Sequence, residues 1–277
     1  MSAALPLHPK IAFLGGGNMA AALIGGLLKT GWPTAQIVVA EPVATRADWL
    51  RAEFGIEVNH SGADLPTDAD ALVLAVKPQQ MAAALAGLSL KPGAVVVSIA
   101  AGVRLNTLQR LLGPQVAYVR TMPNTPALLG AGITGLFAPA DTAADARALA
   151  ERLLAAAGAC VWVDAESQLD AVTALSGSGP AYFFLLVEAL RDAGTALGLS
   201  AEVAAQLAAQ TCVGAARMVG ESGLDVAQLR ANVTSKGGTT EAALNHLESA
   251  GLRAILATAL HEADARAKAL GDALDQQ

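Results

Sequence analysis

Two glycine-bearing segments of this chain carry residues whose types and spacing can do chemistry. The first follows the apolar run Ile11–Leu14: Gly15, Gly17 and Ala20 stand in the pattern G-x-G-x-x-A. Between a strand and a helix, the first glycine permits a tight turn and the second lets backbone approach a pyrophosphate. The third small residue lets the helix pack closely on the strand. Unpaired amides at the start of that helix then face the phosphates. A second apolar run, Ile37–Ala40, ends at Glu41, about two dozen residues beyond Gly17, where a carboxylate can meet ribose hydroxyls. Such a carboxylate favours NAD and repels the extra phosphate of NADP. Thr45 and Arg46 follow closely enough to reach a 2′-phosphate, unless Arg46 is simply an exposed residue of the next helix.

The second segment is VTSKGGTT, Val233–Thr240. A short helix ending near Asn232 and another beginning about Thr239 would flank it. Free amides of Gly238, Thr239 and Thr240 would then open toward an anion such as a carboxylate. The alternative is a plain helix–helix turn with Thr239 or Thr240 as N-cap. The hydroxyls exceed what capping needs, which favours a site. SGSGPAY, Ser176–Tyr182, has the same ambiguity: Pro180 marks a helix junction, and its glycines would also allow a close backbone approach. The histidines add little. His8 lies in the N-terminal tail, His60 in a loop, and His246 and His261 on C-terminal helices, so none is expected at a crevice-lining strand exit. No His–Asp pair, HExxH or Tyr-x-x-x-Lys occurs. Oxidation of an alcohol needs a proton acceptor of suitable pKa. Without one, the expected hydride acceptor is a C=N bond, whose nitrogen can arrive protonated.

These residues need elements to hold them. Ile11–Leu28 contains no charge and has the length of a membrane span. Its three consecutive glycines argue instead for strand, turn and helix. Further strands are expected at Ala71–Val76, Gly93–Gly102, Gln115–Arg120, Gly132–Phe137 and Ala159–Val163, with a helix at Ala143–Ala157. The alternation implies a mostly parallel sheet covered on both faces. Ligands then lie beyond the strand carboxyl ends, at Lys77-Pro78, Ala100–Gly102 and Met122–Asn124. From Glu166 onward no convincing strand remains. Ala-rich helices broken at SGSGP, GLS, ESGL and TSKGGTT form a second region, so the expected domains are 1–164 and 165–277. Apolar stretches such as AYFFLLVEAL need cover, most simply a partner subunit.

The 277 residues are 53% hydrophobic with a net charge of −6. No basic cluster invites nucleic acid. The two cysteines, Cys160 and Cys212, lack metal or disulfide spacing and are expected to be buried and reduced. MSAALPLHPK shows no basic n-region, so neither a signal peptide nor a membrane anchor is expected, and a cytoplasmic setting fits.

With these residues in view, the chain resembles the pyrroline-5-carboxylate reductases over essentially its whole length. The resemblance rests on IAFLGGGNMA, LAVKPQ, VSIAAGV, RTMPNTPALLGAGITGL, DAVTALSGSGPAYFFLLVEAL and ANVTSKGGTTEAAL, in that order. Lys236 stands where that family commonly has proline, a change that alters loop stiffness and spares the glycines and hydroxyls. The resemblance implies a Rossmann-type doubly wound parallel sheet followed by an all-helical dimerisation domain that intertwines with a second subunit. It implies reduction of Δ1-pyrroline-5-carboxylate to L-proline by NAD(P)H, with NADPH expected and NADH a competitor. Cofactor contacts carried over are Gly15, Gly17, Asn18, Met19, Ala75, Val76, Lys77, Ala101 and Asn232; Glu41 and Pro78 join them from the residue reading. Substrate contacts fall at Glu166, Ser235, Gly237, Gly238, Thr239 and Thr240, with the Thr240 hydroxyl the candidate partner of the imine nitrogen. Competing expectations are another imine or β-hydroxyacid reductase, or an NAD(P)-binding sensor without turnover.

Overall fold

The structure, a computed structural model, describes residues 7–275, so the first part of the N-terminal tail lies outside it. Strands β1 (Ile11–Leu14), β2 (Ile37–Ala40), β3 (Glu57–Asn59), β4 (Ala71–Leu74), β5 (Val95–Ser98), β6 (Ala117–Met122), β7 (Gly132–Phe137) and β8 (Gly158–Trp162) build one 8-stranded sheet. Its order is β3-β2-β1-β4-β5-β6-β7-β8. Neighbouring strands are parallel throughout, except that β7 runs antiparallel to β6. The strand order reverses at β1, which pairs with β2 on one side and β4 on the other. β3 was not anticipated: only Val58 of its three residues is buried, so no apolar run announces it.

Helices α1 (Asn18–Lys29), α2 (Ala44–Phe54) and α5 (Ala144–Ala155) cover one face, and α3 (Met81–Leu85) and α4 (Leu105–Leu112) the other. Alternation along β1 divides the core. Ile11 and Phe13 turn to Ile24, Leu50 and Leu153, whereas Ala12 and Leu14 turn to Leu85 and Leu108. Because both faces are covered, the central strands read as continuous apolar runs. Each fully buried leucine or phenylalanine stabilises the sheet by about 2 kcal/mol.

Contacts divide the described chain into two compact units, residues 7–178 with 263–275 and residues 179–262. This division by contacts differs from the expected 164/165 at both ends of the helical region. Helix α6 (Gln168–Val172) and the π-helical turn Thr173–Gly177 stay with the sheet. Leu169 and Val172 close over Gly135, and Asp170 lies 3.5 Å from Arg120. The end of the last helix also returns to the first unit.

The second unit holds α7 (Gly179–Ala196), α8 (Ala201–Glu221), α9 (Val226–Asn232), α10 (Thr239–Ser249) and the start of α11 (Leu252–Asp275). Ser200 and Asp225 cap α8 and α9, each accepting a bond from a first-turn amide. Its apolar side chains are widely exposed. Phe183, Phe184, Leu185 and Leu186 of α7 and Ile255 of α11 all face outward, Phe184 to 68%. No helix among the described residues is long and apolar enough to cross a membrane. Cys160 and Cys212 are free and half-buried, less enclosed than expected because each lies on a partly open face.

Candidate active site

The glycine turn is built by what its neighbours leave no room for. Gly15 adopts φ +98° and donates its N–H to Ala40 O at 2.9 Å; a Cβ there would stand 2.8 Å from Ala75 O. Only glycine fits that left-handed, crowded position. Gly16 was silent in the spacing yet is equally enclosed, since a Cβ would lie 2.4 Å from Leu50 Cδ1. Gly17 is the opposite case: it is exposed, and nothing stands within 4 Å of where its Cβ would be. Gly17 is the N-cap of α1 without a side-chain cap, so the amides of Asn18 and Met19 have no helical acceptor. This open cradle of first-turn amides beside a fixed turn fits a pyrophosphate.

Glu41 does not stand free at the end of β2. It is 8% exposed, and both carboxylate oxygens are engaged: Oε2 accepts from Gly16 N at 2.9 Å and Oε1 from Val43 N at 2.9 Å. The carboxylate fastens the glycine turn to the chain beyond β2. Arg46 completes the arrangement by donating Nε to Gly16 O at 2.6 Å and laying its guanidinium over Trp49, 4.1 Å from the ring centroid. Its Nη2 is buried without a hydrogen-bond acceptor. The expectation of Arg46 as a merely exposed helix residue is therefore corrected.

A cavity of about 450 Å³ opens beside this turn, lined by Gly15, Pro42, His60, Ser61, Val76, Gln79 and Gln80 among others. His60, assigned by sequence to a loop away from any crevice, lines this one because it directly follows β3. His60 and Ser61 were missed because the strand that places them carries no hydrophobic signal. The other expected cofactor residues gather along the same sheet edge. Ala75 and Val76 follow β4 with Lys77 exposed behind them, Pro78 opens a short 3₁₀ turn, and Ala101 is exposed beyond β5. Asn232 belongs to the other unit. It ends α9 in the second unit, where its Oδ1 accepts from Gln228 Nε2 at 2.7 Å.

Glu166 belongs to the first unit and is held there. Its Oε1 accepts from Leu105 N at 2.8 Å, at the start of α4, and from Arg120 Nη1 at 3.1 Å. Arg120 on β6 is buried between Glu166 and Asp170. Sequence reasoning missed this cluster, since nothing local marks an arginine whose two acids lie some fifty residues away. Asn124, expected at a strand exit, has a further part that sequence did not mark. Its Oδ1 accepts from Ile133 N and its Nδ2 donates to Ser176 O at 3.1 Å, tying the β6 exit to the π turn. At Gly177 a Cβ would lie 2.6 Å from Met122 Cε, so SGSGPAY is both a helix junction and a close approach.

The Ser235–Thr240 loop lies in the second unit. Gly238, not Thr239 or Thr240, is the N-cap of α10, and no side chain caps it. Its N–H donates to Ser235 O at 3.0 Å, so this amide is not free as expected. A Cβ at Gly238 would stand 2.5 Å from Ser235 Oγ, which explains the glycine. Glu241 reaches back and accepts from Gly237 N at 2.7 Å. The first-turn amides of Thr239 and Thr240 and their hydroxyls make no hydrogen bond among the described residues. Two amides and two hydroxyls at a helix N-terminus remain available to a carboxylate.

Comparison with known proteins bears on both halves. A family model described as pyrroline-5-carboxylate reductase dimerisation matches residues 166–270. One described as NADP oxidoreductase, coenzyme F420-dependent, matches residues 10–102. The pyrroline-5-carboxylate reductase of Pseudomonas aeruginosa is 49% identical over 97% of this chain and 99% of its own length. This chain belongs to the pyrroline-5-carboxylate reductase family. The family member of Vibrio alginolyticus is 41% identical over 94% of this chain and 97% of itself. Among solved structures, the pyrroline-5-carboxylate reductase of Coxiella burnetii matches with a TM-score of 0.89 at 41% identity, covering 95% of this chain and 98% of that one. A Plasmodium falciparum pyrroline carboxylate reductase with NADP bound matches at 0.78 and 28% identity, covering 95% of this chain and 98% of its own.

Proposed function

We infer that this protein reduces Δ1-pyrroline-5-carboxylate to L-proline by hydride transfer from NAD(P)H, the last step of proline biosynthesis. The whole-length match supports this reading most: at 49% identity along 97% of the chain it spans the glycine turn and the Val233–Thr240 loop together. The cofactor supplies a hydride to C5 of the imine; the nitrogen takes a proton. The first unit binds the dinucleotide. Its glycine turn and the first-turn amides of α1 hold the pyrophosphate, and the exits at Val76 and Ala101 set the nicotinamide. The loop binds the substrate carboxylate through the Thr239 and Thr240 amides and the Ser235 hydroxyl. Orientation of C5 then does most of the catalysis. The Thr240 hydroxyl, unengaged in capping, hydrogen-bonds the imine nitrogen and donates to it or relays from water. Glu166, bound to Arg120 and α4, contributes polarity and placement.

NADPH is the preferred cofactor on this reading. Both Glu41 oxygens are occupied by loop amides, whereas Arg46 keeps a donor without an acceptor beside the same turn. The exposed apolar face of α7 and the matched dimerisation segment support a homodimer or a multiple of it.

Purified protein mixed with pyrroline-5-carboxylate and either NADPH or NADH tests the reading through loss of nicotinamide absorbance. Turnover with the imine and proline as product is expected. Cofactor binding without turnover would leave a sensor, and turnover only with other imines or with β-hydroxyacids would leave a different reductase on this fold.

A further inference from the structure

We propose that the last two turns of α11 are a positioning clamp for the nicotinamide-side loop between β5 and α4. The inference rests on the reading above in one respect, that Ala101 of this loop meets the cofactor. The clamp is made of backbone contact and charge together. Gly102 adopts φ +78° and is buried against the helix: a Cβ there would meet Leu274 Cδ1 at 3.2 Å and Gly271 N at 3.5 Å. Gly271 answers from the other side, where a Cβ would meet Gly102 O at 3.3 Å and Arg104 Nη2 at 3.2 Å. Gly102 is set by its left-handed backbone, and Gly271 by the close approach of Gly102 O and the Arg104 guanidinium. Arg104, the N-cap residue of α4, donates Nη2 to Asp272 Oδ1 at 2.6 Å and Nη1 to Asp275 Oδ2 at 2.7 Å. Thr107 Oγ1 donates to the second Asp275 oxygen at 2.6 Å.

From the opposite flank Glu166 accepts the Leu105 amide. The loop Ala100–Val103 is thus fixed at its carboxyl side by two carboxylates of the terminal helix and one from the segment before α6. Its one exposed residue, Ala101, faces away from this packing. Residues 271–275 lie beyond the matched dimerisation segment, which ends at 270. Holding a binding loop by a supporting shell of this kind sets how well its ligand is oriented.

The test compares wild type with Arg104→Met, Arg104→Lys and a chain ending at Leu270. NADPH Kd by nicotinamide fluorescence is measured beside both KM values, kcat and the melting temperature. We expect NADPH Kd and KM to rise about five- to tenfold in Arg104→Met and in the shortened chain. The pyrroline-5-carboxylate KM at saturating NADPH should stay within about twofold. Arg104→Lys, which keeps one ion pair, should recover most of the loss. If the shortened chain does not fold, Arg104→Met decides alone. An NADPH Kd within about twofold of wild type in Arg104→Met would overturn the clamp, whatever happens to the melting temperature. So would a parallel loss in kcat and both KM values. Failure of wild type to turn over the imine would sink the proposed function instead, and the Kd comparison would still judge the clamp.

Discussion

Thr240 occupies the second position of α10 behind a glycine N-cap, so its hydroxyl has no structural task among the described residues. Thr240→Ala should leave thermal stability near wild type and lower kcat by roughly tenfold or more, with Thr240→Ser restoring most of it and NADPH affinity unchanged. Steady-state kinetics beside a melting curve checks this; a loss near 1 kcal/mol in stability with kcat intact would mean capping after all. At the other loop, Arg46→Ala loosens the glycine turn for both cofactors and should raise the NADPH KM about tenfold more than the NADH KM. Equal effects on both cofactors would remove Arg46 from the 2′-phosphate. Cys160 gives a pH-dependent outcome. Burial, and after it the Glu151 carboxylate, push its thiol up to about 11, so the thiol stays protonated near neutrality. Iodoacetamide should label it slowly at pH 7–8 and faster as the pH approaches 11. Residue types at fixed spacing made Gly15, Gly17 and the Ser235–Thr240 hydroxyls legible in sequence. The roles of Gly16, Arg120 and Asn124 were not, because each depends on a neighbour brought in by the fold.

The strand–turn–helix unit at the start of the chain is the element on which cofactor binding turns. Gly15→Ala places a Cβ against Ala75 O and forces φ +98° on an L-residue. It should cost about 1–3 kcal/mol of stability and abolish measurable NADPH binding, read by denaturant unfolding and by fluorescence titration. Unchanged NADPH affinity would mean that the pyrophosphate lies elsewhere. Elements of this kind were the most legible part of the molecule. β1, β2 and β4 through β8 follow apolar runs, and the breaks between α7, α8, α9 and α10 fall at the glycine-rich segments that mark them. The exception, β3, shows why the rest succeeded. Its pairing with β2 is fixed by backbone bonds, and backbone bonds leave no trace in side-chain type. With β3 unseen, the cavity wall at His60 and Ser61 was unseen too.

At the scale of the whole molecule, the exposed apolar face of α7 and the matched dimerisation segment lead us to expect a second copy as its cover. Wild type should scatter light as a dimer or a multiple of it at micromolar concentration, and Phe184→Asp should shift it toward monomer while NADPH binding by the first unit persists. A wild-type monomer would contradict the assembly. Composition made this face legible, and it made the change from alternating elements to helices legible near residue 164. The return of α11 to the first unit was not legible, since Gly271, Asp272 and Asp275 read as an ordinary polar helix end. That return bears on how the protein is born. Residues 7–178 leave the ribosome before the helices of the second unit, yet the β5–α4 loop finds its partner Asp275 171 residues after Arg104. Vectorial synthesis therefore cannot finish this unit before the segment carrying Asp272 and Asp275 has emerged.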